Sequence, residues 1–273
     1  MARAAPTAPT AAPLPADIRL TNLTALVLGA IGAAALVAVA MAWLAHRPVF
    51  AVRAIQVEGD LTHNNALTIR ANAAPKLAGN FFTMDLAAGR RAFESVPWVR
   101  QAIVRRVWPN RLRVQLEEHR PAALWAGASR VEEVSDKMVN SFGEVFEANV
   151  GDVEDDALPT LRGPDGSSAQ MLAMVRRLQP EFASLEAHVE TLELSGRGSW
   201  RAELDTGAEL ELGRGSDDEV IARTRSFIAT LPEVRERYQQ HPLLAADLRH
   251  QGGYAVRLKG VSTAPLDGKT QKK

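Results

Sequence analysis

Cysteine is absent from the chain, so disulfides, thiolate nucleophiles and zinc–sulfur centres are excluded outright. A surplus of one charge is lacking too. The 32 basic and 32 acidic side chains cancel, which leaves no electrostatic footprint for nucleic acid. Histidine is sparse: none of the six stands four residues from another, as a helical metal site requires, and HExxH does not occur. His241 and His250, with Asp247 between them, read as solvated loop histidines. GxSxG is missing, and Gly196-Arg197-Gly198 and Gly213-Arg214-Gly215 lack the third glycine and the βαβ setting of a dinucleotide loop. The adjacent carboxylates Glu117-Glu118, Glu132-Glu133, Asp155-Asp156 and Asp217-Asp218 do not converge, because neighbours in a strand point to opposite faces. No cofactor or metal follows from any of these residues, and no catalytic constellation does.

A long apolar run is what the chain does have. No residue from Leu20 to Ala45 is charged, and Leu23–Ala45 (LTALVLGAIGAAALVAVAMAWLA) is almost wholly apolar. About 20 such residues cross a bilayer as a helix. Arg19 precedes the run, His46 and Arg47 follow it, and Trp43 suits the interface. A cleaved signal peptide is the rival reading, since Ala38-Val39-Ala40 resembles a cleavage site. Its apolar stretch would be only about 7–15 residues, however, and this one continues through Trp43 and Leu44. Basic residues on the two sides are nearly balanced and do not fix the orientation. The first residues, rich in Ala, Pro and Thr, read as disordered.

Beyond Pro48 the pattern is short strands and helices. Val52, Ile55 and Val57 predict a strand. Asn64 or Asn65 can cap a helix with Ala66, Ile69 and Ala73 on one face. Leu86, Gly89, Phe93 and Val96 predict a second helix, stopped by Pro97. Strands follow at Val99–Trp108 and Arg111–Glu118, turning at Pro109-Asn110. The order is β-α-α-β-β. Arg105, Arg106, Arg111 and Arg113 make a basic patch on this hairpin. It is either an exposed face balanced by Glu117 and Glu118 or a surface for a partner or lipid headgroups.

The remainder is strand-rich. KMVNSFGEVFEA predicts a hairpin turning near Ser141–Glu144. Met171, Met174, Val175 and Leu178 mark a helix that Pro180 ends or kinks. Trp200, Ala202 and Leu204 pair with Ala208, Leu210 and Leu212 in a second hairpin. Ser216 and Glu219 form a capping box before a helix carrying Val220, Thr224, Phe227, Ile228 and Leu231. Leu244–Leu248 and Tyr254–Lys259 close the chain as strands. Two glycines, Gly252 and Gly253, stand at the entrance of the last one, where they form a hairpin turn, leave a sheet edge open, or do both.

Five stretches carry a family resemblance: GNFFTMDL (79–86), VPWVRQAIVRRVWPNRLRVQLEEHRPAALW (96–125), VNSFGEVFEA (139–148), LPTLRGPDG (158–166) and LELGRG (210–215). In order and spacing they resemble the FtsQ/DivIB family of bacterial cell-division proteins. The resemblance implies an α+β protein with a single transmembrane helix, a POTRA domain and a strand-rich C-terminal β domain. The expected bounds are a disordered cytoplasmic tail over 1–20, the transmembrane helix over 21–46, the POTRA domain over 48–120, the β domain over 121–260 and a disordered tail over 261–273. It also implies a non-catalytic scaffold of the inner membrane at the septum, with its domains in the periplasm. There it would bind FtsB, itself paired with FtsL, together with other division proteins, and help control septal peptidoglycan synthesis. The partner would add a strand to the last strand, involving Arg249, His250, Gly252, Gly253, Tyr254, Ala255, Val256, Arg257 and Leu258, with Arg249 poised for an acidic partner residue. His250 stands where the family often has an aromatic, and Leu258 where some members have tryptophan. A POTRA-containing translocation component and a membrane-anchored cell-wall enzyme are the alternatives.

Overall fold

In a computed structural model of the chain, residues 16–59, 61–64, 69, 80–128, 136–153, 158–250 and 252–261 are described. The fold is α+β: one apolar helix, a three-stranded sheet and a nine-stranded sheet. Helix α1 spans Ala16–Ala45, so it starts inside the stretch whose composition reads as tail. Its segment Leu20–Ala45, 26 residues, is long and apolar enough to cross a membrane. At 1.5 Å per residue that is about 39 Å, enough to span a ~30 Å hydrocarbon core with some tilt. Thr21 and Thr24 fit the apolar run because their hydroxyls donate to the carbonyls of Asp17 and Thr21, at 2.6 and 2.9 Å. Past the helix end, the Arg47 guanidinium lies 3.5 Å over the Trp43 ring.

The first domain contains β1 (Ala54–Gly59), α2 (Leu86–Glu94), β2 (Val99–Val107) and β3 (Arg111–Glu118). Its sheet runs β1-β3-β2, with β1 parallel and β2 antiparallel to the central strand. β3 alternates strictly, burying Leu112, Val114, Leu116 and Glu118 and exposing the residues between, so a one-residue slip would bury Arg111 and Arg113. Asp85 caps α2, its carboxylate accepting from the N–H groups of Ala87 and Ala88 at 2.8 and 3.1 Å. Of the first expected helix only Ile69 is described; it is helical and fully buried. Asn64 donates its side-chain amide to the Pro97 carbonyl at 2.8 Å.

The expected balance between the arginine patch and Glu117-Glu118 needs correcting. Strand alternation turns Glu118 inward, where it accepts from the N–H groups of Thr62, His63 and Asn64 at 2.9–3.0 Å. Glu117 pairs with Arg100 at 2.9 Å. Within the patch itself, Arg113 pairs with Glu58 at 3.3 Å and Arg106 donates to the Met84 carbonyl.

The second domain contains β4 (Pro121–Trp125), β5 (Lys137–Asn140), β6 (Val145–Glu147), β7 (Thr160–Arg162), α3 (Ser168–Phe182), β8 (Val189–Leu194), β9 (Trp200–Leu204), β10 (Glu209–Gly213), α4 (Asp217–Arg237), β11 (Leu243–Asp247) and β12 (Ala255–Leu258). The sheet order is β12-β11-β10-β9-β8-β7-β4-β5-β6. α3 connects the parallel pair β7 and β8, and α4 connects the parallel pair β10 and β11. The two helices pack against each other and share one core with the sheet, around Phe182, Leu192, Trp200, Leu210 and Phe227. α3 does not stop at Pro180; it continues two residues further to Phe182. The capping box of α4 is present: the Glu219 N–H donates to Ser216 Oγ at 3.3 Å, and the Ser216 N–H to Glu219 Oε2 at 2.8 Å.

One buried asparagine organises the junction of the two domains. Asn140 is fully buried, and its Oδ1 accepts from the N–H groups of Phe142 and Glu144, closing the hairpin between β5 and β6. Its amide donates to Glu144 Oε2 at 2.7 Å and to His119 Nδ1 at 2.9 Å. Glu144 in turn receives a two-pronged contact from Arg100 of β2, at 2.7 and 3.1 Å. The His119 ring stacks on Phe146 at 4.1 Å, and Trp98 meets the same Phe146 edge-on at 5.5 Å. Arg100, with Asn140 beside it, holds the Glu144 carboxyl down at about 2.

Two expectations follow. Phe182→Ala empties a fully buried site and should cost about 3–5 kcal/mol in urea unfolding followed by tryptophan fluorescence. The Glu144 pKa lies below its usual 4.5, so its contribution is complete above about pH 4.5 and is lost as pH falls through about 2. Glu144→Gln should therefore lower the unfolding midpoint by a constant amount above pH 4.5, and the gap should close between pH 4.5 and 2.

Candidate partner-binding edge

β12 ends the large sheet. It pairs antiparallel with β11, through Ala255 opposite Asp247, Val256 opposite Ala246, and Arg257 opposite Ala245. Among the described residues no strand pairs with its other side. The Lys259 N–H donates to the Pro242 carbonyl at 2.9 Å, toward β11. By the two-residue period of a strand, the N–H groups of Val256 and Leu258 then point away from β11, to the open edge.

The side chains alternate as the sequence pattern predicts. Leu258 is buried, and Tyr254 and Val256 pack partly against the main core. The Tyr254 ring meets Phe227 edge-on at 5.0 Å, and its hydroxyl shares a 2.7 Å hydrogen bond with Thr230 Oγ1. Ala255 and Arg257 are exposed, as are Arg249, His250, Gly252 and Gly253 in the turn before the strand. The nine candidate residues therefore lie at one turn and along one edge.

The two glycines differ. Gly252 has φ +80°, which only glycine adopts at no steric cost, whereas Gly253 has an ordinary backbone; a Cβ on either would meet open space. The hairpin turn thus explains Gly252, and Gly253 is spare.

Arg249 is engaged within the chain. Its guanidinium grips Asp247 through Nε and Nη2 at 2.8 and 2.6 Å, and its own N–H donates to Asp247 Oδ1 at 3.0 Å. This pairing holds the Asp247 carboxyl at about 2. A groove of about 580 Å³ runs beside the turn, lined by Arg223, Phe227, Thr230, Arg249, Gly252 and Tyr254 among others. Arg223, on α4, donates through Nη2 to the carbonyls of Leu212 and Arg214 at 2.9 and 2.6 Å. Its Nε is buried without a hydrogen-bond partner among the described residues.

The comparisons with known proteins account for both domains. The family model described as cell division protein FtsQ/DivIB, C-terminal, matches residues 127–249, and the one described as POTRA domain, FtsQ-type, matches residues 50–119. The chain belongs to the FtsQ/DivIB family. It is 40% identical to the cell division protein FtsQ of Burkholderia pseudomallei over 246 residues, covering 90% of this chain and 94% of the relative. With that of Thiomonas arsenitoxydans it shares 38% over 260 residues, covering 95% and 94%, and with that of Bordetella pertussis 38% over 259 residues, covering 89% and 92%.

This FtsQ-family chain is accordingly a POTRA-containing cell-division protein with one candidate membrane-spanning helix. The C-terminal family match ends at Arg249 and so includes only the first of the nine candidate residues. Arg223, Phe227 and Thr230 are additions from the structure: the four-residue spacing of Phe227 and Leu231 reads as core, and nothing in the sequence says that Arg223 faces the turn.

Substituting the glycines separates their roles. Gly252→Ala should lose about 1–2 kcal/mol by forcing a left-handed backbone on alanine, while Gly253→Ala should leave stability unchanged or raise it by up to about 1 kcal/mol, both read from urea unfolding midpoints.

Proposed function

We propose that the chain is a non-catalytic, bitopic scaffold of the division machinery, with its N-terminus in the cytoplasm and both domains in the periplasm at the septum. In this reading β12 accepts a strand from FtsB, and FtsL joins through FtsB. By holding these partners the chain helps control septal peptidoglycan synthesis. Family membership supports the division role, and the unpaired outer side of β12 is the observation that carries the docking mode.

The residues divide the work by direction. The outward main-chain groups of Val256 and Leu258 offer the hydrogen bonds of an added strand. Gly252 turns the chain into that strand. Tyr254, Val256 and Leu258 fix it against the core from inside, and Ala255 and Arg257 face the partner's side chains. Arg249 and Arg223 flank the groove beside His250 and Gly253, ready for an acidic residue of the partner.

The test is binding of the periplasmic segment of FtsB to the full chain in lipid nanodiscs. Val256→Pro removes an outward N–H and leaves the β11 pairing intact. With an unchanged circular dichroism spectrum, this variant should lose affinity at least about tenfold, the equivalent of 1.4 kcal/mol. Undiminished binding by the folded variant would overturn strand addition at β12.

A further inference from the structure

The end of the first domain nearest α1 carries an apolar surface that the function proposed above does not use. Val49, Phe82 and Trp108 are 62%, 50% and 74% exposed, although all three are large and apolar. They come from three separate segments: the link after α1, the turn before α2, and the tip of the β2–β3 hairpin. The structure ties those segments together. The Phe81 N–H donates to the Phe50 carbonyl at 2.8 Å, and Ala51 bridges Asn80. Phe50 and Phe82 meet edge-on at 5.0 Å. The Arg53 N–H donates to the Asn110 carbonyl at 3.0 Å, fastening the hairpin tip to the same link.

We infer that this tip docks on the membrane surface into which α1 inserts, with Val49, Phe82 and Trp108 seated in the headgroup layer. The tether commits the occupant. Four residues separate Ala45 from Phe50, so Phe50 lies at most about 18 Å along the chain from the end of the apolar helix, and the hairpin tip is fastened to the same link three residues later at Arg53. The short 3-10 helix Pro48–Phe50 takes up part of that reach. A headgroup and interface zone extends several ångströms beyond the hydrocarbon on each side.

Composition agrees with placement. Aromatic rings favour the interface, where one side is apolar and the other wet. Cations surround the cluster: Arg47 lies on Trp43, Arg53 sits in the link, and Arg111 stands opposite Ala54 in the neighbouring strand. These are the charges that anionic headgroups attract. Asp85 is the nearby acid, and it is occupied in capping α2 and lies 4.0 Å from Arg91. Part of the basic patch on the hairpin thereby acquires a partner, the phosphate of the lipid.

The absence of cysteine makes a site-specific test simple. The full chain would be placed in nanodiscs of phosphatidylethanolamine and phosphatidylglycerol, with α1 as its anchor. A nitroxide would be attached at Asn110→Cys, beside Trp108, or at Ser184→Cys on the exposed 3-10 segment Ala183–Leu185 as an aqueous control. Collision of each label with oxygen and with a water-soluble nickel chelate reports its depth. The expected result is an oxygen-to-nickel ratio at position 110 above that of the control. The combined Val49→Ser, Phe82→Ser, Trp108→Ser substitutions should abolish the difference, with circular dichroism unchanged because all three side chains are exposed. Three results would overturn the inference: an aqueous ratio at position 110 in the parent chain, a ratio that survives the triple substitution, or a label shielded from both reagents, which would mean that protein covers the tip.

Discussion

Every strand must answer its main-chain N–H and C=O groups on two sides, and a sheet that does not close has two strands that answer on only one. That constraint governs this molecule. Nine strands are joined in one sheet, and the parallel steps at β7–β8 and β10–β11 are made possible by α3 and α4 crossing one face. β4 and β7 form a third parallel pair, with the β5–β6 hairpin between them in sequence, and the remaining steps are antiparallel pairings. At a spacing of about 4.8 Å per strand, β12 lies roughly 40 Å from β6 along the sheet. Its outward N–H groups are a consequence of where the ladder stops. Everything proposed for the partner rests on that stop.

The two ends of the ladder have different surroundings. At the β6 end, Phe146 stacks on His119 and meets Trp98, while Glu144 takes the Arg100 guanidinium and the Asn140 amide. Asn140 is the common member, since it closes the hairpin turn with one atom and reaches the first domain with the other. Its burial leaves few alternatives, because a buried amide without these partners would cost more than the individual bonds contribute. The first domain is thereby joined to the β6 end of the second through side chains. At the β12 end the main chain remains open, the strand is four residues long, and Arg257 is exposed. Short length and positive charge are ordinary protections against indiscriminate strand pairing. In the proposed docking they would admit a partner of complementary charge and discourage a second copy of the same edge.

How much of this was legible beforehand depends on whether the signal was local. β3 and the β9–β10 hairpin alternate so regularly that period alone predicts them. The turn chemistry of Asn140 to Glu144 and the capping box at Ser216 are also short-range. β4, β7 and β8 carry no such signal. β4 opens with proline and two alanines, β7 has three residues, and Glu190 and Thr191 interrupt the alternation of β8; these strands exist because neighbours pair with them. The arginine balance is not legible from sequence for the same reason. Glu118 lies next to Glu117 in sequence, yet the strand turns it to the donors at residues 62–64. At the candidate edge, the alternation of Tyr254, Val256 and Leu258 and the need for a turn at Gly252 were readable. Arg223 reaches the groove only through the packing of α4 on the sheet. The Asp247–Arg249 grip requires the bend at the end of β11, since residues two apart in a straight strand lie side by side along one face without closing such a fork.

That grip bears on the docking proposed for this edge. In the chain alone Arg249 is already neutralised by Asp247, so an incoming carboxylate competes with an existing bidentate pair and gains less than it would from a free guanidinium. Arg223 is in the opposite condition: two of its bonds go to main-chain carbonyls, and its Nε is buried with no acceptor among the described residues. That Nε is shielded from solvent as well as unpaired, and an unmade hydrogen bond at a desolvated donor costs more than a made one contributes. Gly213 lies between the two arginines, and a Cβ there would stand 3.0 Å from the Arg249 side chain, so their closeness depends on that glycine. In the docking proposed above, Arg249 holds the turn that presents β12, and an acidic partner residue would meet Arg249 or the neighbouring Arg223. In that proposal the main chain of β12 would supply the attachment, and the arginines beside it the charge selectivity.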